Sequence, residues 1–537
     1  MKINSKINIP LKDKDQFLSL QIQKKDVRED KEYLKNRFNN IKQSAQGIHK
    51  DIEKYLNYCT AEKLHIDKSA VLASKKTISN VFKVLSTMKD INLDPLLPVV
   101  DYGKKVTKFL QEYRVLCYEI LSASLILDWR SPSYDQSIDA MFFTLDCQNN
   151  TEINYNRYRS NRLSNLENHL TDIFSLDTTQ NTLLMASSGM AAYNLIESYL
   201  IRYILKSNDI VLIPHYIYFE TYEQISRLPM IKIEKSNTYD ATEICELILS
   251  KKPKVVFLDP ITNTSELRMV DIEKIIKRLE TQILKEDIYL VIDGSILSGE
   301  LLPFPKLKNL KIKILYYDSC SKYLQLGLDI SMGGLVVIPA PISKIVSRLR
   351  TNTGTIMYDN SVSSFPIYSL KIYKQRMKRF TRNAILIGKI IEKEKMLSSV
   401  VQVNYPLLKS HPDYLLAKKY DSNGAILTFS FSDPLLNERN SLNKFINIAL
   451  SLAKKQEISL VKGLSFGFSL PRIFASSARP ENNSALPYLR LSVGDRSYRE
   501  TKLLANILLE AFKIHTNHTK SRSQIKNKIH GIKNTKI

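Results

Sequence analysis

The sequence predicts an α/β fold built on a mostly parallel sheet, and three observations predict it. From Thr182 onward, short apolar runs alternate repeatedly with stretches of helical periodicity. Each run stops at a small or polar residue, as strands do before a loop. A later region changes rhythm to separate strand candidates, the sign of a second, smaller α+β unit.

Taken in order, TLLMAS leads into SGMAAYNLIESYLIRYIL, DIVLIP into YFETYEQISRL, and KVVFLDP into VDIEKIIKRLE, followed by IYLVIDG and KIKILYYDS. This alternation predicts three layers, helix on sheet on helix, with ligands bound in the loops after the strands. After GGLVVIP a long, irregular helical stretch is expected from IPAPISKIVSRLR to about Leu397, then strands in GAILTFSFSD, ISLVKGLSFG and YLRLSVGD. Residues 1–130 alternate charge with apolar residues at helical intervals and predict a helical N-terminal extension packed on the body. The expected units are therefore 1–130, a large α/β domain at 131–345, a small α+β domain at 346–513 and a flexible basic tail at 514–537. That tail carries six Lys or Arg and no acid.

With 537 residues, 44% of them apolar, the chain can bury a sizeable core. The N-terminus MKINSKINIPLKDKDQ lacks the apolar run of a signal peptide, so a cytoplasmic protein with no membrane association is expected. Cys59, Cys117, Cys147, Cys245 and Cys320 form no CxxC pair, and no HExxH occurs, so neither disulfides nor a metal is expected. The net charge of +24 invites phosphate. Its even spread, without a zinc finger or aromatic ribonucleoprotein motif, argues against specific nucleic-acid binding.

Chemistry concentrates in VIDGSILSGELLPFPKLKNLKIKILYYDSCSKYLQLGLDISMGG, Val291 to Gly334. Asp293 follows one apolar run, and Lys322 follows another after Ser319, Cys320 and Ser321. Such a pair suits pyridoxal 5'-phosphate. The lysine forms a Schiff base with its aldehyde, and the carboxylate keeps the ring nitrogen protonated so that the ring absorbs electrons.

Further motifs flank this segment in order: Tyr155-Asn156-Arg157 with Leu166-Glu167, SSGM at Ser187–Met190, YFETY at Tyr218–Tyr222, DPITN at Asp259–Asn263, and LRLSVG at Leu489–Gly494. From about Asn154 to Gly494 the chain thus resembles the pyridoxal-phosphate enzymes of cysteine and methionine metabolism: cystathionine synthases and lyases, methionine lyase and sulfhydrylases. The resemblance implies the aspartate-aminotransferase-like fold, fold type I.

It also implies roles, residue by residue. Ser188, Gly189 and Met190 correspond to a phosphate cradle, where amides at a helix start face the anion; taken alone, S-S-G before a helix is also a simple cap. Tyr218 takes the place of the tyrosine that stacks on the cofactor ring and assists proton transfer, with Phe219 and Glu220 replacing two glycines in a bulkier loop. Asn263 corresponds to the residue contacting the ring hydroxyl, although an Asn after a strand also reads as a turn. Asp293 corresponds to the partner of the ring nitrogen, Ser319 and Ser321 to phosphate ligands, and Lys322 to the Schiff-base lysine and catalytic base. Leu326, Gly327, Leu328 and Asp329 stand where the family has G-H-S-D, so its histidine is absent. Tyr155 and Arg157 match residues that reach a neighbouring subunit's phosphate, and Arg157 within NRYRSNR is also readable as an exposed cation. Arg490 corresponds to the clamp on the substrate's α-carboxylate. GLSFGFS, Gly463–Ser469, loosely echoes the family's S-L-G-G loop.

These roles imply β- or γ-elimination or replacement on a sulfur-containing or homoserine-derived amino acid, in a homodimer or homotetramer with shared active sites. Transamination uses the same groups. A catalytically weak scaffold or regulatory protein, with its basic N-terminal region and tail binding nucleic acid or protein, is the reading from another class.

Overall fold

A computed structural model describes residues 160–533, apart from 302, 330, 359–360, 363–364 and 478–485, together with 28–37 and a few positions between 39 and 80. Tyr155 and Arg157 lie outside the described residues.

The chain enters through α1 (Asn161–Ile173), capped by the Ser160 hydroxyl, which accepts from the Leu163 amide. Then come β1 (Asn181–Ala186), α2 (Gly189–Tyr199), β2 (Ile210–Ile213), α3 (Phe219–Ile225), β3 (Lys232–Lys235), α4 (Ala241–Lys251), β4 (Val255–Leu258), α5 (Ile272–Glu280), β5 (Ile288–Asp293), β6 (Ile312–Asp318) and β7 (Gly334–Pro339). The helix α5 illustrates how local sequence writes an element. Asp271 caps it, Glu273 sits in its first turn and Lys277 and Arg278 in its last, complementing the helix dipole. Its buried residues Ile272, Ile275, Ile276 and Leu279 share one stripe.

The seven strands pair in the order β1-β7-β6-β5-β4-β2-β3. Only β7 runs against its neighbours, β1 and β6, so the other six strands point the same way. The alternation of the pleat divides the core in two. Met185, Val256, Leu258, Leu290, Ile292 and Ile314 join one cluster, whereas Ala186, Val255, Phe257, Val291 and Leu315 join the other. Both faces are covered, as a sheet with helical crossovers requires.

A second, five-stranded sheet has the order β10-β11-β12-β9-β8. It follows α6 (Ser343–Asn352) and α7 (Leu370–Glu392) and comprises β8 (Val401–Asn404), β9 (Ile426–Phe431), β10 (Val461–Lys462), β11 (Arg472–Ser476) and β12 (Tyr488–Ser492), with α8 (Arg439–Lys455) between β9 and β10. The chain closes with α9 (Tyr498–Lys533). No helix among the described residues is long and apolar enough to cross a membrane.

Several expectations need correction. Among the described residues the helical stretch expected after β7 is broken between α6 and α7, because Gly354 at φ +67° turns the chain and Pro366 stands before α7. Where the tail is expected, the described residues from 514 to 533 continue α9, with His515 and Thr516 buried. The ISLVKGLSFG candidate yields only the two-residue β10, whereas β3, β8 and β11 are additional strands.

One buried ion pair ties three elements together. Glu167 of α1 accepts from the Met185 amide of β1 at 2.8 Å and pairs with Arg350 of α6, which donates to the Met185 carbonyl at 2.9 Å. These side chains are only 14% and 9% exposed. Glu167→Ala strands the guanidinium and should destabilise the protein by about 3 kcal/mol or more, read as a lower urea midpoint.

Glu300, after β5, gives a pH prediction. Burial first, then Asp421, pushes its carboxyl up to about 7, and its Oε1 has no partner. A folded-state value above the unfolded one stabilises at low pH, and that stability is lost as pH rises through about 7. The urea midpoint should fall between roughly pH 5 and 8, and Glu300→Gln should flatten part of the fall.

Candidate active site

With six strands aligned, the chain leaves β1, β2, β4, β5 and β6 at one edge of the sheet. The motif residues stand there: Ser187–Met190 after β1, Tyr216 and Tyr218 after β2, Asp259 and Asn263 after β4, Asp293 ending β5, and Ser319–Lys322 after β6. Most of them are half-buried, as residues lining a cleft are.

At the cradle, Ser188 caps α2, its hydroxyl accepting from the Ala191 amide at 3.0 Å. The first-turn amides of Gly189 and Met190 have no intrahelical acceptor and point out of the positive end of the helix. A Cβ on Gly189 would lie 2.7 Å from the Ser319 Cβ, so two distant motifs meet and only glycine fits between them. Ser319 is fixed in turn, its amide donating to Ser295 Oγ at 3.1 Å. Behind them, a Cβ on Gly334 would lie 2.1 Å from the Ser188 carbonyl oxygen. The Met190 side chain packs toward the second apolar cluster, leaving its backbone to face the cradle.

The register of β5 against β6 sets Asp293 opposite Tyr317. Desolvation at the strand end raises the Asp293 carboxyl, while the Ser295 amide, donating at 2.9 Å, together with Tyr317 and Lys322 acts against the rise. A carboxylate in this position gains from a cationic N–H partner. A second carboxyl lies close by: Asp259 is buried and pushed well up, first by desolvation and then by Asp293. Its amide donates to His215 Nε2 at 3.0 Å, and its side chain accepts from the Tyr218 amide. This fixes the backbone on which the Tyr218 ring is mounted.

Phe219 and Glu220, read as loop residues, form the first turn of α3. Thr221 of the same motif is buried and hydrogen-bonded to the Tyr317 hydroxyl at 2.9 Å, a structural contact. The Tyr218 phenol is raised by burial, by Glu220 and by Asp293, and lowered by Arg490. It therefore stays protonated at neutral pH.

Lys322 Nζ donates to Ser465 Oγ at 2.6 Å and lies 5.2 Å above the Phe466 ring. Burial and then the Arg490 charge lower its pKa, opposed by Asp293, Asp329 and Asp318. Ser465 (φ +71°) and Gly467 (φ +84°) shape a turn so tight that a Cβ on Gly467 would lie 2.7 Å from the Lys322 carbonyl carbon. Ser465, which the sequence did not single out, is the side chain that the structure brings to Lys322, and its only signal was the loose echo in GLSFGFS. Arg490, on β12 of the second sheet, is 7% exposed and donates to Asn263 Oδ1 at 3.1 Å. Tyr488 donates to the Asn263 carbonyl at 3.1 Å. The two sheets therefore meet at the cleft. Ser321 is half-buried beside Lys322.

The chain is 30% identical over 415 residues to the bifunctional enzyme flvA of Aspergillus flavus, covering 77% of this chain and 49% of that one. It is 24% identical over 294 residues to cystathionine gamma-lyase of Saccharomyces cerevisiae, covering 53% and 70%. With L-methionine gamma-lyase of Fusobacterium nucleatum it shares 27% over 216 residues, covering 39% and 51%. The chain thus spans about half the length of two of these relatives. Cystathionine gamma synthase from Xanthomonas oryzae, solved with cystathionine, superposes with a TM-score of 0.54 at 19% identity, over 68% of this chain and 90% of that one, a likeness of fold. The model of the Cys/Met metabolism PLP-dependent enzymes matches residues 127–461, more than half of the sequence, and the chain belongs to that family.

Proposed function

We propose that this protein is a pyridoxal-phosphate-dependent lyase or transferase that eliminates or replaces a β- or γ-substituent of an amino acid. The observation that carries this reading is the meeting of Gly189 with Ser319 beneath the same edge that bears Asp293 and Lys322. An anion cradle, an acid for a ring nitrogen and a desolvated lysine serve one cofactor together. When bound, that cofactor supplies an electron sink for charge developing at the substrate's Cα.

The remaining work belongs to the chain. The α2 amides of Gly189 and Met190, with the Ser188, Ser319 and Ser321 hydroxyls, hold the phosphate. Asp293 keeps the ring nitrogen protonated. Asn263, with Oδ1 committed to Arg490, offers its amide N–H to the ring hydroxyl. The Arg490 guanidinium clamps the α-carboxylate through two oxygens and so aligns Cα. Lys322 would hold the cofactor through its aldehyde and would supply the amine that takes and returns the Cα proton; its lowered pKa leaves more of that amine neutral. Tyr218 would pack against the cofactor ring, and its phenol, held protonated by burial, would supply a donor for the departing substituent.

The proposed assembly is a cytoplasmic homodimer or homotetramer in which Tyr155 and Arg157 complete the neighbouring subunit's phosphate site. Two buried, unpaired thiols, Cys245 and Cys320, accord with a reducing compartment.

Protein loaded with pyridoxal phosphate should show a visible absorption band that Lys322→Ala lacks; no band in wild type would sink the proposal. Release of a keto acid and ammonia from an amino acid bearing a β- or γ-leaving group supports elimination. Conversion of the cofactor to its amine form indicates transamination instead. Arg490→Ala should lower kcat/KM by roughly 30- to 150-fold, the loss expected for a charge-assisted contact. Gly189→Ala, with its Cβ forced against Ser319, should weaken cofactor binding by about tenfold or more while circular dichroism stays unchanged.

A further inference from the structure

Outside the cleft, a buried polar cluster joins the N-terminal segment at 28–37 to the lysine loop. The segment is helical and buries Asp30 and Tyr33 one turn apart, at 2% and 4% exposure. Asp30 pairs with Arg379 and, at 2.9 Å, with Arg382, both on α7, and accepts from the Tyr498 amide at the start of α9 at 3.0 Å. The Tyr33 hydroxyl donates to Asp495 Oδ2 at 2.8 Å. Burial and the Asp495 charge push that phenol up to about 12, so it remains a donor.

Asp495 stands five positions beyond Arg490 in sequence. Burial alone would raise its carboxyl, but Arg376, Arg379, Arg496 and Arg37 together hold it at about 2. From this carboxylate the contacts lead to the catalytic lysine. Arg376, 1% exposed, donates from Nε to Asp495 Oδ2 at 2.8 Å, from Nη2 to the Gly467 carbonyl at 2.8 Å and from Nη1 to the Tyr323 carbonyl at 3.4 Å. Tyr323 follows Lys322, and Gly467 presses on the Lys322 backbone from the turn that carries Ser465. A Cβ on Gly327 would lie 2.5 Å from Arg376 Nη2, so the same guanidinium also packs closely against the chain after the lysine. Arg37 reaches the Leu326 carbonyl at 3.5 Å.

We propose that the helical segment at 28–37 is a positioning element of the active site: it locks Asp495 and, through the Arg376 fork, sets the two backbone segments that hold Lys322 and Ser465. A planar guanidinium with three fixed acceptors on three segments transmits a displacement of any one of them to the others. The effect on catalysis rests on the pyridoxal-phosphate reading; the mechanical coupling does not.

The test uses the full chain carrying Tyr33→Phe, Asp30→Asn or, as a control, Glu32→Gln, which breaks the exposed Lys371 pair at 2.8 Å on the same segment. Amide hydrogen exchange is followed across 322–329 and 463–469 without cofactor. With cofactor, the pH midpoint of the visible band, kcat and KM are measured. Tyr33→Phe and Asp30→Asn should speed exchange in both loops by about tenfold or more, the effect of losing one hydrogen bond to a charged group. They should also shift the band's pH midpoint and lower kcat by about tenfold with KM nearly unchanged. Glu32→Gln should change none of these. Unchanged exchange in both loops overturns the proposal even if thermal stability falls, because the segment is then only a clamp. Faster exchange with an unchanged midpoint and kcat overturns it as well. If Asp30→Asn does not fold, Tyr33→Phe decides. If wild type takes up no cofactor, the functional reading fails by itself and the exchange result alone judges the coupling.

Discussion

The site depends on the common direction of β1, β2, β4, β5 and β6. Each strand is stabilised by apolar burial on both faces, so its position is set by the core. Each ends at the same edge, where Ser187, Asp259, Asp293 and Ser319 stand at or just after the ends of β1, β4, β5 and β6 and Tyr216 and Tyr218 follow β2. Asp293 and Lys322 are close because neighbouring strands end together, with β5 registered on β6 from Ile288 to Asp293. The packing that holds the fold therefore also aligns the polar groups.

Desolvation then gives those groups their chemical character. Asp293, Asp259 and the Tyr218 phenol are raised and Lys322 is lowered, in each case with burial as the largest cause. The same partial burial that favours a protonated phenol favours a neutral amine, so one environment prepares a donor and an acceptor. Charges tune this balance: Arg490 lowers both Lys322 and Tyr218. It arrives from the second sheet, so the proton chemistry of the cleft depends on how the two sheets pack.

Much of this was legible in the residues. Asp293 stands out because it ends an apolar strand, Lys322 because it follows another across Ser319, Cys320 and Ser321, and Ser187–Met190 because a small-residue turn opens a helix. The strands β1, β2, β4, β5 and β6 were readable as continuous apolar runs. β3, with the sequence Lys-Ile-Glu-Lys, was not, since it is a largely solvent-facing edge whose pairing comes from β2. β8 and β11 are short and half-polar. Nor could Ser465 be singled out: its hydroxyl matters because a turn with two positive φ angles folds it onto Lys322 from a distant part of the chain.

The sequence by itself determined the α/β class and the order of the motifs and brought Lys322 forward as the candidate Schiff-base lysine, because strand periodicity and the polarity that follows a strand are local properties. Tertiary structure alone decided the reversal of β7, the contact of Gly189 with Ser319, and the burial of Arg376. In KIYKQRMKRF nothing local separates Arg376 from its basic neighbours. It becomes a three-way tie only because α7 packs it at 1% exposure between Asp495, Gly467 and Tyr323, where every donor of its fork must find an acceptor.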